Sequence, residues 1–459
     1  MSQFTLIKSI NGNNAPTTNM GDRVVETIYQ QAESIAARAV SRTGAPKKDW
    51  TRILDNILTS KFLGYPIMLA LLGLLFWLTV EGANVPSGMI ADFLFGLEGQ
   101  ISAAFMALGA PGWLHGILVL GMYKTLAWVV SVMLPPMAIF FTLFTLLEDL
   151  GYLPRIAFNL DNAFKKAKAC GKQALTMCMG FGCNAAGIVS CRIIDSPRER
   201  LIATLTNNFV PCNGRFPTLI AVATIFMGGA VASTYETAVA AATVTGLVLL
   251  GITVTFITSW ALSHTILKGE PSSMTLELPP YRKPQLGAIL YRSIIDRTIF
   301  VLMRAVTVAA PAGALTWLLG NIFIDDLSII SHCANFLAPL GHAIGLDGFI
   351  LMAFILGLPA NEIVIPILIM AYMSSGYMLE FASLEELRNL FVANGWTWLT
   401  AVNTMLFSLL HWPCATTLIS LKKETGSSKW TGVAFLLPTV IAFTVCFMIA
   451  QIAYFFGLV

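Results

Sequence analysis

The stretch that decides the fold of this chain runs from Cys170 to Pro217 and reads CGKQALTMCMGFGCNAAGIVSCRIIDSPRERLIATLTNNFVPCNGRFP. Two apolar runs in it are interrupted, the first around Cys183 and the second around Cys212. In hydrocarbon every backbone N–H and C=O group must find an internal partner, so helix breaks at membrane depth are tolerated only where protein or a wet cavity receives them. The stretch therefore predicts a site inside a bundle of membrane helices.

The composition indicates a polytopic helical membrane protein. Of the 459 residues, 56% are hydrophobic and 12% are charged, against about 25% charged in a soluble domain. About ten apolar stretches are long enough, at about 20 residues each, to cross or enter a bilayer. The net charge of +3 is small and spread over loops, which argues against nucleic acid as a partner. The lipid bilayer is the partner that this composition predicts.

The chain divides into five parts. Residues 1–20 are rich in Asn, Thr and Gly and are predicted to be disordered. Residues 21–62 read as cytoplasmic amphipathic helices, because they carry seven Lys or Arg and short cytoplasmic segments are enriched in both. A first transmembrane half is predicted over 63–267, a cytoplasmic loop over 268–298 and a second transmembrane half over 299–459.

Two local predictions concern charged residues at the ends of membrane helices. The first membrane helix is predicted over residues 63–80, because polar residues follow it directly. Glu148 and Asp149 are predicted at a membrane boundary, where they either cap a neighbouring helix or pair with Arg155.

The two halves share a short pattern. Gly180-Phe-Gly-Cys183-Asn184 in the first half matches Gly357-Leu-Pro-Ala360-Asn361 in the second, and Pro211-Cys212 matches Pro413-Cys414. The Asn and the later Cys are 28 residues apart in the first half and 53 in the second. Paired interrupted helices in corresponding halves are a sequence indication of a transporter binding site. The pattern predicts an internal repeat with a site at the breaks.

Six residues at these breaks are candidate metal ligands. They are Cys183, Asn184, Cys212, Asn361, Glu362 and Cys414. Sulfur mixed with oxygen favours a first-row transition metal over Na⁺ or Ca²⁺, which prefer oxygen alone. A carboxylate in a long apolar run is costly and usually functional, which favours Glu362. Packing remains the alternative for the cysteines, and capping of half-helices the alternative for the two asparagines.

Motifs typical of enzymes are absent from the sequence. It contains no G-x-x-x-x-G-K-[ST] phosphate loop, no H-E-x-x-H and no G-x-S-x-G. We therefore predict that the chain is not an enzyme and that it needs no cofactor.

Four segments resemble the membrane region of FeoB-type ferrous iron transporters. They read LEDLGYLPRIAFNLD, GFGCNAAGIVSCRIIDSPRERLIATLTNNFVPCNGRFP, LPANEIVIP and LLHWPCATTLISLKKETGSSKW. They occur in the family's order, and the resemblance covers roughly residues 20–459. It implies an all-α polytopic protein of the inner membrane with two gate-type repeats containing broken helices. It also implies uptake of Fe²⁺ as the transported substrate. The basic residues of 21–62 separately predict a cytoplasmic N-terminus.

The resemblance places family motifs on residues of this chain. The Gly-Cys-Asn motif corresponds to Gly182-Cys183-Asn184, and two later cysteine motifs correspond to Pro211-Cys212 and Pro413-Cys414. The chain departs from the family at Ala185-Ala186, where the family has Val-Pro, and at Asn361, where it has Lys. These departures put in doubt how the first break is held and which metal the site prefers.

The family's N-terminal GTPase domain is expected to be missing here, leaving only its trailing helix. A GTPase would then be a separate subunit, or transport would not depend on GTP. A small cytosolic Feo-type protein and further copies of the chain are the other partners that the resemblance leaves open. Two alternative functions also stay open: a permease for a nucleoside-like organic solute, and a non-transporting membrane partner of a GTPase.

Overall fold

The computed structural model describes residues 20–39, 50–60, 62–230, 235–269, 281, 284–378 and 383–457. The predicted disordered segment 1–20 lies outside these residues except for Met20. Residues 270–280, 282 and 283 of the predicted cytoplasmic loop 268–298 also lie outside them. The predicted amphipathic helix near the N-terminus is present as α1.

The described residues form eighteen α-helical segments and one small β-hairpin. The first half contains α1 (Met20–Ala39), α2 (Trp50–Leu58), α3 (Gly64–Ala107), α4 (Gly112–Asp149), α5 (Leu153–Lys166), α6 (Gln173–Gly182), α7 (Asn184–Ser190), α8 (Pro197–Thr206), α9 (Phe216–Val222) and α10 (Glu236–His264). The second half contains α11 (Leu286–Asn321), β1 (Phe323–Ile324), β2 (Leu327–Ser328), α12 (Ile329–Ala343), α13 (Gly348–Leu356), α14 (Val364–Met373), α15 (Leu384–Ala393), α16 (Trp398–Leu410), α17 (Ala415–Thr425) and α18 (Ser428–Phe455). The strands pair antiparallel, with Phe323 opposite Ser328.

Seven helical stretches within the described residues are long and apolar enough to cross a membrane. They are α3, α4, α8 continued by α9, α10, α11, α16 continued by α17, and α18. The bent pair α12 and α13 turns through 112°. The sequence count of about ten is higher because several apolar stretches form short helices that enter the bundle without crossing it. The chain is a multi-pass, all-α membrane protein.

Helix α3 overturns the predicted end of the first membrane helix at residue 80. It is continuous over Gly64–Ala107 and contains Pro86. Its 44 residues span about 66 Å, roughly twice the hydrocarbon thickness of a bilayer. Polar residues after residue 80 therefore do not stop the helix, because a helix of this length extends beyond the apolar layer. Helix α11 likewise begins at Leu286, inside the predicted cytoplasmic loop.

Two helical hairpins have their tips inside the bundle. Helices α6 and α7 pack on each other on either side of Cys183, and α13 and α14 pack on each other across the turn at Ala360. The two tip residues share an extended backbone, with φ −157° and ψ 125° at Cys183 and φ −152° and ψ 121° at Ala360. The predicted repeat of broken helices is confirmed.

The two hairpins enter the bundle from opposite faces. Three spans separate them along the chain: α8 with α9, then α10, then α11. Near the C-terminal end of α18, Tyr454 Oη donates to His342 O (3.2 Å) and Gln451 Nε2 donates to Ala343 O (3.3 Å). These bonds place the bend between α12 and α13 at the end of α18 that is remote from Ser428. The repeats therefore have inverted topology, the arrangement that places transporter sites near the midplane.

Helices α4 and α11 occupy equivalent places in the two repeats and cross closely. A Cβ added at Gly313 would lie 2.4 Å from Gly121 O, and one added at Gly116 would lie 1.9 Å from the Trp317 ring. Small residues permit such close approach between membrane helices. The glycines therefore allow α4 and α11 to pack closely against each other.

A buried ion pair docks α2 onto α5. Arg155 Nε lies 3.0 Å from Asp55 Oδ1, and both side chains are buried. The predicted pairing of Arg155 with Glu148 or Asp149 is wrong. Glu148 instead pairs with Arg297 at 2.9 Å, and Asp149 accepts a hydrogen bond of 3.0 Å from the backbone N–H before α11. Asp149 thus contacts the start of a neighbouring helix, in agreement with the other alternative.

Candidate functional site

The hairpin tips and the breaks in the spanning helices meet in the middle of the bundle. The turn Asn361–Ile363 at the second tip contacts the turn Asn213–Arg215 at the first break. Helix α7 of the first hairpin packs along α17, which follows the second break. The Ala415 N–H donates to Leu358 O (2.8 Å). Each hairpin therefore packs on the broken helix of the other repeat.

Three cysteines and one carboxylate lie at the tips and breaks that meet here. Cys183 is the first tip, and Cys212 and Cys414 stand at the two breaks. Glu362 follows the second tip and packs against Gly214, two residues after Cys212. Cys414 Sγ also lies 3.1 Å from Thr417 Oγ1. All eight cysteines are free thiols. Asn184 adjoins Cys183 and Asn361 adjoins Glu362, so the structure brings all six predicted ligands into one region.

The backbone around the two spanning-helix cysteines is extended. Cys212 has φ −83° and ψ 168°, and Cys414 has φ −62° and ψ 159°. Each follows a proline, which has no N–H and keeps the preceding residue away from helical angles. The helix therefore stops just before each cysteine and restarts after it. Both thiols stand at the N-terminal start of a helical segment, where backbone groups lack intrahelical partners.

Glu362 is a buried carboxylate that packs against backbone. A Cβ added at Gly214 would lie 2.2 Å from Glu362 Oε1, so the carboxylate occupies the space that a side chain at residue 214 would need. Within the described part of the chain, no Lys, Arg or His lies within ion-pair distance of it. A buried carboxylate without a cation is costly and is a hypothesis of function by default.

The two predicted asparagines differ in their contacts. Asn361 Oδ1 is buried and has no hydrogen-bond partner in the described structure, which is unusual for a buried acceptor. With its amide oriented to suit its neighbours, Asn184 Nδ2 donates to Asn207 O (3.2 Å), Val210 O (3.2 Å) and Gly180 O (3.3 Å). Asn184 thus caps the first hairpin and the first break. A role of either residue in holding a metal stays a prediction.

Three polar residues of the first break are absent from the predicted set. Asn207 Nδ2 donates to Asn184 O (3.3 Å) between the arms of the first hairpin. Asn208 Nδ2 donates to His411 O (2.7 Å). Arg215 is fully buried and bonds both repeats. The available sequence signal was a charged and amide-rich segment, Asn207 to Arg215, inside an apolar run.

The site is an open arrangement of donors. Among the residues that the structure describes, no three His, Cys, Asp or Glu side chains are grouped closely enough to hold a metal ion. His411 Nδ1 lies 2.9 Å from Ser408 O and 3.0 Å from Phe407 O, so this nitrogen faces its own helix. Single donors spaced along a path suit an ion that must enter and leave, because conduction needs binding that is not too tight.

Replacing Gly214 by alanine tests the contact between the first break and the second tip. The added methyl group would overlap Glu362 Oε1, so we expect a loss of about 1–3 kcal/mol in the free energy of unfolding, measured by denaturant titration in detergent. Gly246→Ala in α10 is the matched control, because a Cβ there meets no atom within 4 Å. Equal stability of the two variants would contradict the contact.

A comparison with known protein families matches one segment in each half of the chain. The chain matches the Gate family, described as nucleoside recognition, over residues 130–227 and 302–428. It matches the C terminus of ferrous iron transport protein B over residues 244–296. The Fe(2+) transporter FeoB of Staphylococcus aureus (strain MSSA476) is 29% identical over 434 residues, which are 92% of this chain and 62% of that protein. The chain is therefore similar to FeoB proteins over nearly its whole length.

FeoB proteins from other lineages match the same region. The Fe(2+) transporter FeoB of Methanocaldococcus jannaschii is 29% identical over 449 residues, covering 94% of this chain and 62% of that protein. The FeoB of Salmonella typhimurium is 30% identical over 277 residues, covering 59% of this chain and 34% of that protein. The chain spans about three fifths of the length of the first two FeoB relatives. No solved structure matches it. The predicted resemblance to the membrane region of FeoB is confirmed.

Proposed function

We propose that this chain carries Fe²⁺ across the cytoplasmic membrane through a path between its two inverted repeats. The observation that carries this function is the contact between the two repeats at their breaks, where the Glu362 carboxylate of the second tip packs against Gly214, two residues after Cys212. The FeoB relatives are named Fe(2+) transporters. Sulfur and oxygen donors together suit a first-row transition metal better than Na⁺ or Ca²⁺.

The residues at the breaks have distinct proposed roles. Cys183, Cys212 and Cys414 supply soft ligands to the passing ion. Glu362 compensates its charge, and Asn361 Oδ1 supplies an oxygen, because this buried atom has no hydrogen-bond partner in the described structure. The carbonyls of the broken helices replace further water molecules, as unwound backbone does in other transporters. Rocking of one repeat against the other then exposes the path to each face in turn.

The proposed orientation places the N-terminus in the cytoplasm. Residues 21–62 carry seven Lys or Arg, and α5 has Lys165 and Lys166 in its last turn. Basic residues near the ends of membrane helices favour the cytoplasmic side. We propose that Fe²⁺ is the substrate and that no cofactor or catalysis is needed. A separate GTPase subunit, a small cytosolic Feo-type protein and a homo-oligomer are proposed partners, which reconstitution with and without each one would test.

Uptake of ⁵⁵Fe²⁺ into proteoliposomes tests the function directly. We expect Cys183→Ser to lower the initial rate at least tenfold, because loss of one ligand weakens the binding of a partly dehydrated ion by about 1.4 kcal/mol or more. Cys446→Ser is the matched control. Cys446 is also buried, but its thiol contacts Asn403 O on α16 (3.6 Å). Equal Fe²⁺ flux for wild type and Cys183→Ser would remove Cys183 from the path.

A permease for a nucleoside-like solute is the second candidate, favoured by the description of the Gate family as nucleoside recognition. The same liposomes are tested with radiolabelled uridine. Uridine uptake that needs no metal and resists thiol alkylation would favour this candidate over Fe²⁺. Stable binding of a GTPase with no flux of either solute would instead indicate a non-transporting membrane partner.

A further inference from the structure

We propose that Arg215 is a positioning residue that holds the two chain segments carrying Cys212 and Cys414 at a fixed separation. This role rests on the proposed function, because the separation of the thiols matters for transport only if an ion passes between them. The hydrogen bonds of Arg215 reach both of these segments.

The Arg215 guanidinium is fully buried and bonds both broken helices. Its Nη1 donates to Asn208 O (2.7 Å) and to Leu409 O (2.8 Å). Its Nη2 donates to Asn208 Oδ1 (3.1 Å), His411 O (3.2 Å) and Trp412 O (3.3 Å). Asn208 Nδ2 donates to the same His411 O (2.7 Å). One side chain thus joins the first break to the end of α16, a helix of the other repeat.

The end of α16 supplies acceptors because the helix stops there. His411 is extended, with φ −66° and ψ 177°, and Pro413 has no N–H to donate. The last carbonyls of a helix lack intrahelical donors and carry the negative end of the helix dipole. Within the described residues no carboxylate lies within ion-pair distance of Arg215. The hydrogen bonds to these carbonyls therefore stabilise the buried guanidinium and at the same time fix the position of the carbonyls.

These bonds fix the backbone next to both cysteines. The Arg215 N–H donates to Cys212 O (2.9 Å) and closes the turn that follows this cysteine. Trp412, whose carbonyl accepts from the guanidinium, lies two residues before Cys414. The equivalent position in the second repeat, three residues after Cys414, is Thr417, whose hydroxyl contacts the thiol of its own repeat. The side chains that join the two repeats next to these cysteines, Arg215 and Asn208, therefore belong to the first repeat.

Cross-linking of the two thiols tests this role without any metal. The parent protein keeps Cys212 and Cys414 and has serine at the other six cysteines. The protein is treated with a short bifunctional methanethiosulfonate and then cut at a protease site inserted within residues 270–280. Cross-linked halves migrate together on a gel, and halves that are not cross-linked migrate apart. We expect Arg215→Lys to slow cross-linking several-fold. Lysine keeps the charge but has three donors on one atom and cannot reproduce five bonds to four residues. Asn208→Ala is a second variant with the same expected direction.

Arg297→Lys is the matched control, because Arg297 bonds Thr145 and Glu148 away from the breaks. In the eight-cysteine protein, we expect Arg215→Lys to raise the Fe²⁺ concentration at half-maximal uptake about tenfold, as loss of charge-assisted hydrogen bonds would. If Arg215→Lys and Asn208→Ala cross-link at the rate of the parent protein, the positioning role is overturned. The same holds if neither the parent nor either variant cross-links. Slower cross-linking in a protein that carries no Fe²⁺ would instead overturn the proposed function and leave Arg215 as the joint between the repeats.

Discussion

Replacing Glu362 by glutamine is expected to lower the initial rate of Fe²⁺ uptake about 100-fold. Two unit charges 4 Å apart attract by about 4 kcal/mol at an effective dielectric constant of 20, and a divalent ion gains more. If half of this attraction remains after the cost of desolvation, the rate changes about 30-fold. If all of it remains, the rate changes almost 1000-fold. Glutamine keeps the shape that packs against Gly214, so the loss reports charge.

The control for this prediction is Glu424→Gln. Glu424 forms hydrogen bonds of 2.7 and 2.8 Å with Arg192, whose side chain is mostly exposed. Surface ion pairs contribute little, so we expect Fe²⁺ uptake to stay within about twofold of wild type. Wild-type uptake by Glu362→Gln would show that the carboxylate does not compensate the charge of the passing ion. Loss of uptake in both variants would point to general damage instead.

The breaks could be predicted from sequence because their causes are local. Proline removes a donor and keeps the residue before it away from helical angles, so the helix ends at Val210 and at His411 follow from Pro211 and Pro413. The tip of the first hairpin was readable from the glycines and the amide around Cys183. The equivalent tip residue in the second repeat is Ala360, so the matched pattern located the turn although the cysteine has no counterpart there.

The contacts that hold the site together could not be read in the same way. Arg215 bonds carbonyls of residues 194 to 197 positions away, and backbone acceptors leave no trace in a sequence. Arg155 has two acidic neighbours in the chain, yet it pairs with Asp55, 100 positions away. Proximity in sequence decides such pairings only where no folded partner is nearer in space. The length of α3 was also not predicted. Polar residues mark the edge of the apolar layer, but the helix continues beyond that edge.

Replacing Asp55 by alanine is expected to lower the free energy of unfolding by about 3–5 kcal/mol, because it leaves a buried arginine without its counter-charge. The exposed fraction is 0% for Arg155 and 5% for Asp55. Tyr281 Oη also donates to Asp55 Oδ1 (2.9 Å), and the Arg155 guanidinium lies 4.2 Å from the centre of the Tyr281 ring. Burial, with the hydrogen bond to Asp55 as a smaller cause, raises the pKa of Tyr281 to about 12, so this phenol remains a donor at neutral pH. Denaturant titration in detergent measures the change.

Two further variants separate an uncompensated charge from a lost contact. Asp195→Ala removes an exposed carboxylate 2.5 Å from Lys172, a neighbour that holds the pKa of Asp195 below its usual value, and we expect no measurable change in the denaturation midpoint. The double variant Asp55→Leu with Arg155→Met removes both buried charges, and replacing a buried ion pair by apolar residues is often neutral. We therefore expect the double variant to be more stable than Asp55→Ala. If Asp55→Ala were as stable as Asp195→Ala, the ion pair would not be what docks α2 onto α5.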